Sequence, residues 1–419
     1  VPIDDIWSAD VGQICRHLQQ TLNLETSVLR CAFQRGDEER REEYSIYVLE
    51  NRLPTWQPPA NYRWAGRADL LAVADAEQRA SIDAHLAEAE GGPIPALRTP
   101  WCLPGWLDAA TAWVTSQLED LGRPPIGPID QVKNWSISCV LRARTATGAV
   151  YFKTAAALPL FVNEPVVMAF LARRHPAHIP APLRIDAERG WMLLDDFGPS
   201  LRESGAAAER QEMLRVFGHL QRDYVASTDD LLALGIPDRR LARLVEQVDA
   251  LAADEAWLAD LTEEEVEQLR EALPQVREMC AALAECGVPQ TLVHSDLHLG
   301  NVAERGGSLL FFDWTDACVT HPFFDLISVF GEEDEAAQAQ LRDVYLAGWG
   351  DYASPELLHK AWLLARTLSD LHQAISYQHI LMGLEPSAQL DFQGDVASYL
   401  RAALRSLAAE KGDGRYERP

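Results

Sequence analysis

The sequence has no C-x-x-C pair, no run of about 18 apolar residues, and no glycine-rich fingerprint of the G-x-G-x-x-G or G-x-x-x-x-G-K-[ST] type. Each absence excludes something. The seven cysteines are scattered and odd in number, which speaks against a disulfide framework or a zinc site and fits reduced thiols in a cytosol. Without a long apolar run, no transmembrane helix is expected. The opening residues, VPIDDIWSAD, carry neither a basic n-region nor an apolar h-region, so no secretory signal is expected and the expected location is cytoplasmic. Positive charge is scarce as well: 37 Lys and Arg face 63 Asp and Glu, a net charge of −26. Such a balance disfavours nucleic acid and anionic membranes as partners, and it permits a cationic small-molecule substrate.

What is present is an ordinary globular composition, 47% hydrophobic and 24% charged over 419 residues, enough for two or three domains. Residues 1–100 read as a small α+β domain. SVLRCAFQ and YSIYVL are strand-like around the charged tip RGDEERREE, and a helical stretch follows from Glu77 to Glu90. This pattern loosely resembles a Nudix-type domain. Gly36 and Glu42 match the first step of a Nudix box, but Glu50 stands where its Arg belongs, so that hydrolase activity is not expected. Residues 101–124 read as a linker and a helix, Trp106–Gly122, with Asp108 as its cap.

Residues 129–145 are strand-like, a turn falls at Ala146 to Gly148, and AVYFK resumes with Lys153 at its end. A helical segment, Asn163 to Arg174, follows and opens with Glu164. The strands LRIDA and GWMLLDDF complete a region 125–198. Residues 199–409 are mainly helical: Ala206–Ser227, Arg239–Ala253, Thr262–Cys286 broken near Pro274, Ala336–Tyr352, Pro355–Met382 and Leu390–Ala409. Thr262 with Glu265 is a capping box. The polar tail 410–419 reads as disordered.

Everything is organised around residues 291–316, which contain TLVHSDLHLGNVAERGGSLLFFDWT. Apolar runs alternate with a polar loop and a Gly-Gly turn, so the stretch reads as strand, loop, strand, hairpin turn and strand. Four residues separate Asp296 from Asn301, the spacing of the kinase catalytic loop, where the Asp takes the proton of the attacking hydroxyl. There the Asn and a later Asp, here Asp313, hold magnesium. Kinases also pair a strand Lys, which holds the nucleotide phosphates, with a Glu on the next helix; Lys153 and Glu164 stand in that order. Ser136 and Ser138 sit where a glycine-rich loop would cover phosphates, and backbone groups near Leu194 and Asp195 where an adenine edge would lie.

The combination resembles the aminoglycoside phosphotransferase family, the small-molecule branch of the protein-kinase-like fold, over roughly residues 125–405. VHSDLHLGNV is similar to the family's H-G-D-x-H-x-x-N loop, and FFDWTDACVTHPFFDLISV to its metal segment. The resemblance implies an α+β, two-lobed fold, a small antiparallel β lobe and a mainly helical lobe, with residues 1–100 as an extra domain. It implies Asp296 as catalytic base, Asn301 and Asp313 as Mg2+ ligands, Lys153 supported by Glu164 on the ATP phosphates, and His294 and Asp325 as braces. His298 lies in the loop with its role open. Ser295 stands where the family has Gly, and His321 where it has Asp.

The implied activity is ATP- and Mg2+-dependent transfer of a phosphate to a hydroxyl of a small, amine-bearing molecule. Two alternatives stand beside it. A non-catalytic nucleotide-binding protein on the same fold would lack at least one of the five expected groups. A metal-dependent hydrolase would use His294, Asp296 and His298 as transition-metal ligands. No pattern in the chain specifies an oligomeric state.

Overall fold

In the computed structural model, which describes residues 9–37, 42–203 and 206–412, the chain forms two compact units. The first holds the residues up to Ala156, Pro182–Asp196 and Gly383–Asp391; the second holds Ala157–Ala181, Phe197–Met382 and the residues from Phe392 onward. The boundary expected near residue 100 therefore falls inside the first unit. The middle of the charged hairpin tip and the end of the polar tail lie outside the described residues.

The first unit begins with helix α1 (Gly12–Leu22) and an antiparallel hairpin of β1 (Thr26–Asp37) and β2 (Glu42–Asn51). Helices α2 (Ala76–Ala89) and α3 (Trp106–Asp120) follow. Asp108 lies in the first turn of α3; the cap is Gly105, whose φ of 80° favours glycine. Strands β3 (Asp130–Asn134), β4 (Ser138–Thr145), β5 (Gly148–Ala155), β6 (Arg184–Asp186) and β7 (Trp191–Asp195) form one antiparallel sheet in the order β3-β4-β5-β7-β6. The strand expected over 129–145 is interrupted, because Trp135 N–H and Nε1–H fold back onto Ser138 O and Oγ at 3.1 and 2.6 Å.

Trp106 and Trp113, two turns apart on α3, meet Phe152 and Trp191 of the sheet edge-on, with ring centroids 5.6–6.0 Å apart. The hairpin is joined to the sheet by a side-chain amide. Gln131 Oε1 accepts from Val28 N–H at 2.9 Å, and its Nε2 donates to Val28 O at 2.9 Å. The Arg98 side chain, 4% exposed, donates to the half-buried Glu88 at 2.9 Å and to the buried Glu385 at 2.6 Å, so its charge is paired.

The second unit carries helices α4 (Glu164–Arg174), α5 (Ala207–Asp223), α6 (Thr228–Ala233), α7 (Leu241–Ala253) and α8 (Glu263–Glu285). Four short strands follow, β8 (Thr291–Val293), β9 (Val302–Arg305), β10 (Ser308–Phe311) and β11 (Cys318–Thr320). Helices α9 (Ile327–Phe330), α10 (Glu335–Ala347), α11 (Pro355–Met382) and α12 (Asp395–Gly412) complete it. The helix expected over 206–227 stops at Asp223, with a single 3-10 turn before α6. The expected break at Pro274 does not occur: burial of Leu269, Val276, Cys280 and Leu283 along one face holds α8 continuous. The Thr262–Glu265 capping box is made. No helix of the described residues is long and apolar enough to cross a membrane.

Replacing Gln131 by Leu would leave the buried Val28 N–H without a partner, while Val28 O keeps its bond from Asn134 Nδ2 at 2.8 Å. One such orphan costs about 1–3 kcal/mol, a loss that denaturant unfolding should read directly.

Candidate active site

The site is built on β8, which is buried along its length and pairs antiparallel with β11. The chain leaves β8 at His294 and turns through Ser295 at φ 66°, a left-handed conformation uncommon for a residue with a Cβ. It passes Asp296, makes a 3-10 turn at Leu299–Asn301 and enters β9. Gly306 and Gly307, at φ 61° and 80°, return it to β10 in two residues, a turn that needs positive φ at both positions. Beyond β10, Asp313 is again left-handed, at φ 64°.

Asp325 fastens the start of this loop. Its oxygens accept from His294 N–H at 3.0 Å, Ser295 N–H at 2.7 Å and Gln221 Nε2 at 2.8 Å. Gln221 Oε1 in turn accepts from the Tyr345 hydroxyl. Asp325 is fully buried. Burial raises its carboxyl to about 7, against the pull of the two backbone donors and with a further push from the Asp296 charge. His294 Nε2–H donates to Phe312 O at 3.0 Å and ties the loop to the chain after β10. Burial holds its imidazole below the usual range, so it is neutral. Gln373 on α11 donates to Ser295 O at 2.9 Å.

Asp296 faces the open side, with 51% of its side chain exposed. Asn301 Nδ2 donates to its carboxylate at 2.7 Å and to its carbonyl at 2.9 Å, which leaves the Asn301 side-chain oxygen Oδ1 for another ligand. His298 Nδ1 accepts from Gly300 N–H at 2.9 Å, so its Nε2 carries the proton, 3.4 Å from Asp296 Oδ1. A Cβ on Gly300 would meet the His298 ring at 2.5 Å, so glycine is required there. Surrounding protein pushes the Asp296 carboxyl up, but the neighbouring His298, above all through its hydrogen bond, outweighs it and keeps the group ionised below its ordinary range.

The Asp313 segment is held separately. Thr315 Oγ1 donates to Asp313 Oδ1 at 3.1 Å, Trp314 N–H donates to the buried Glu164 at 3.1 Å, and Val162 N–H donates to Thr315 O at 2.9 Å. Glu164, at the start of α4, thus braces the residue after Asp313.

The remaining candidates lie in the first unit. Lys153 stands on β5 between Phe152 and Thr154, opposite Val140 and Met192. Ser136 donates to Asp391 at 3.0 Å and Ser138 accepts from the Trp135 indole, so both hydroxyls are engaged within the unit. Leu194 is buried at the end of β7, and Asp195 pairs with Arg123 at 2.7 Å.

The transition-metal alternative does not fit. His294 Nε2 is spent on Phe312 O and His298 Nδ1 on Gly300 N–H, and among the described residues no group of three or more His, Cys, Asp or Glu could hold an ion. An amide oxygen and a carboxylate, as at Asn301 and Asp313, are instead the sparse oxygen donors that suit Mg2+, which keeps several waters. Sequence reasoning missed Gln221 and Gln373. Gln221 had one signal, a polar residue four positions after Phe217 on the buried face of α5; Gln373 had none.

An antiparallel five-stranded sheet, with an H-x-D loop, an Asn five residues on and an Asp beyond the next hairpin, defines an enzyme of the protein-kinase-like fold. The chain belongs to the phosphotransferase enzyme family, whose model matches residues 151–361. Among solved structures, it is similar to an ethanolamine kinase of Plasmodium vivax, with TM-score 0.52, 12% identity, and 80% of this chain and 96% of that chain covered. A choline kinase from Streptococcus pneumoniae gives TM-score 0.50 and 14% identity over 72% of this chain and 99% of that chain. The GDP and kanamycin complex of APH(2")-IIia gives TM-score 0.50 and 12% identity over 72% and 99%. At these identities the likeness is one of fold. No curated protein sequence matches the chain.

The raised carboxyl of Asp325 has a pH consequence. The folded state keeps its proton up to about pH 7, whereas the unfolded chain releases it near 3.8. Between those values the folded state binds more protons, so this group makes stability fall as pH rises and has no further effect above about 7. Asp325→Asn should flatten that part of the profile, measured as unfolding free energy at pH 4.5, 6 and 7.5.

Proposed function

We propose that the protein is a kinase that moves the γ-phosphate of ATP, in a Mg2+-dependent reaction, to a hydroxyl of a small, amine-bearing molecule. The observation that carries this reading is Asp296: ionised, half-exposed and oriented by Asn301 and His298 on a loop fastened through Asp325. In this reading Asp296 accepts the proton of the acceptor hydroxyl as its oxygen attacks the phosphorus. The Asn301 side-chain oxygen Oδ1 and the Asp313 carboxylate would hold Mg2+, which when bound neutralises charge on the phosphates. Lys153 takes the α- and β-phosphates, and backbone near Leu194 and Asp195 meets the adenine. Ser136 and Ser138 offer backbone N–H groups there rather than their engaged hydroxyls. Glu164 orders the Asp313 segment, and His298 keeps Asp296 ionised.

The amine preference has its own support. One turn after Gln373, which touches the loop, α11 presents Tyr377. Its ring stacks on Tyr399 at 5.4 Å and lies 6.1 Å from Phe392. Burial raises both phenols, and the Asp395 and Asp296 charges push them further up. An aromatic wall among carboxylates attracts an ammonium group. The ethanolamine kinase, the choline kinase and the kanamycin complex share this fold and bear names of amine-containing molecules.

The test is Mg2+-dependent turnover of ATP, with GTP alongside, against amino-alcohols, aminoglycosides and neutral sugars. Asp296→Asn should lower kcat by about 10²–10⁴-fold with nucleotide affinity kept. Equal turnover in the variant would overturn the assignment of the base. Tyr377→Ala should raise KM for the amine-bearing acceptor about tenfold, the loss of about 1–2 kcal/mol of cation–π attraction, with kcat little changed. Turnover of neutral or anionic acceptors alone would sink the amine preference.

A further inference from the structure

A cavity of about 680 Å3 opens in the second unit among the end of α4, one face of α5 and the β9–β10 hairpin. None of the residues given a catalytic or ligand-binding role above lines it. Its apolar lining comes from Val216, Leu220 and Leu309. Glu212 and Asp223 recur along the α5 face, with His219 between them, and Glu209 and Glu304 add two more carboxylates. Arg215, the lining arginine, is already bound to Glu212 at 2.8 Å. Glu209, Asp223 and Glu304 therefore face the cavity without a lining arginine or lysine to neutralise them, among the described residues.

Polar atoms here lack partners. The His175 side chain is 10% exposed, and its Nε2 has no hydrogen bond, with the Asp223 carboxylate 3.8 Å away. Glu209 Oε2 is likewise sealed from solvent without a partner. His178 Nδ1–H donates to Leu309 O at 2.9 Å. Burial lowers the pKa of His175 and His219, so both rings are neutral near pH 7. The lining is rich in carboxylates. A ligand that fits must bring N–H donors, positive charge and an apolar stem.

We propose that this cavity binds a linear aliphatic diamine or polyamine, its ammonium groups taken by Glu209, Asp223 and Glu304 and its methylenes lying on Val216, Leu220 and Leu309. The ligand class is set by the chemistry of the wall: a single small cation would leave the apolar lining bare, and an anion would meet the carboxylates of Glu209, Asp223 and Glu304. The cavity is joined to the loop's own hairpin, since His178 O accepts from Phe311 N–H at 2.8 Å, two residues before Asp313.

Spermidine is the probe, titrated by calorimetry into the full chain at about 0.15 M salt, where loose surface attraction is screened. One saturable site is expected. Its affinity should fall tenfold or more in the double variant Glu209→Gln/Asp223→Asn and stay unchanged in Asp296→Asn. Glu304→Gln, at an exposed position, should weaken binding about threefold and gives an independent reading should the double variant fail to fold. No saturable binding would overturn the proposal. So would binding that ignores the cavity variants, or binding lost in Tyr377→Ala, which would place the amine on the aromatic wall instead. The titration needs no turnover, so it succeeds or fails separately from the phosphotransfer reading.

Discussion

The geometry of the site depends on one carboxylate that touches no substrate. Asp325 gathers the N–H groups of two consecutive residues, His294 and Ser295, and so sets the direction in which the chain leaves β8. Those two amides have no strand neighbour once β8 ends, and buried amides without partners are costly. Gln221 on α5 donates to the carboxylate and is itself held by the Tyr345 hydroxyl from α10, so elements far apart in sequence converge on this one group. The position of Asp296 is a consequence of this arrangement more than of its own contacts.

Two left-handed residues follow from the same constraint. Ser295 and Asp313 both carry a Cβ in a region of backbone space that costs on the order of 1–3 kcal/mol to occupy. Each is bracketed by bonds that leave it no alternative. Ser295 has Asp325 on its N–H and Gln373 on its carbonyl. Asp313 lies between the His294–Phe312 bond and the Glu164–Trp314 bond. The glycine that the family carries where Ser295 stands now has a physical reason: that position turns left-handed.

Much of this was legible in the chain because it is local. The Gly306-Gly307 pair between apolar runs announced its turn, and the Asp296–Asn301 spacing became a hydrogen bond between those two side chains. What escaped is non-local. Gln373 meets Ser295 across 78 residues of sequence, and nothing near it marks it as different from other helix residues. The interruption of the long strand at Trp135 came from an indole reaching Ser138, a side-chain preference that β-propensity does not register. Pro274 misled in the other direction, since helix propensity is a weak prior against a well-buried face.

The division of the chain into units has a consequence during synthesis. The first unit is completed by Gly383–Asp391, and Arg98 finds Glu385 only 287 residues later. At ribosomal rates of about 5–20 residues per second, Arg98 is made roughly 15–60 s before that partner. Until then a guanidinium destined to be 4% exposed has Glu88 but not its second carboxylate. A nascent chain stopped between residues 98 and 385 therefore carries a first unit in which Arg30 and Arg98 share Glu88 alone, and no cut in the sequence releases that unit whole as one continuous piece.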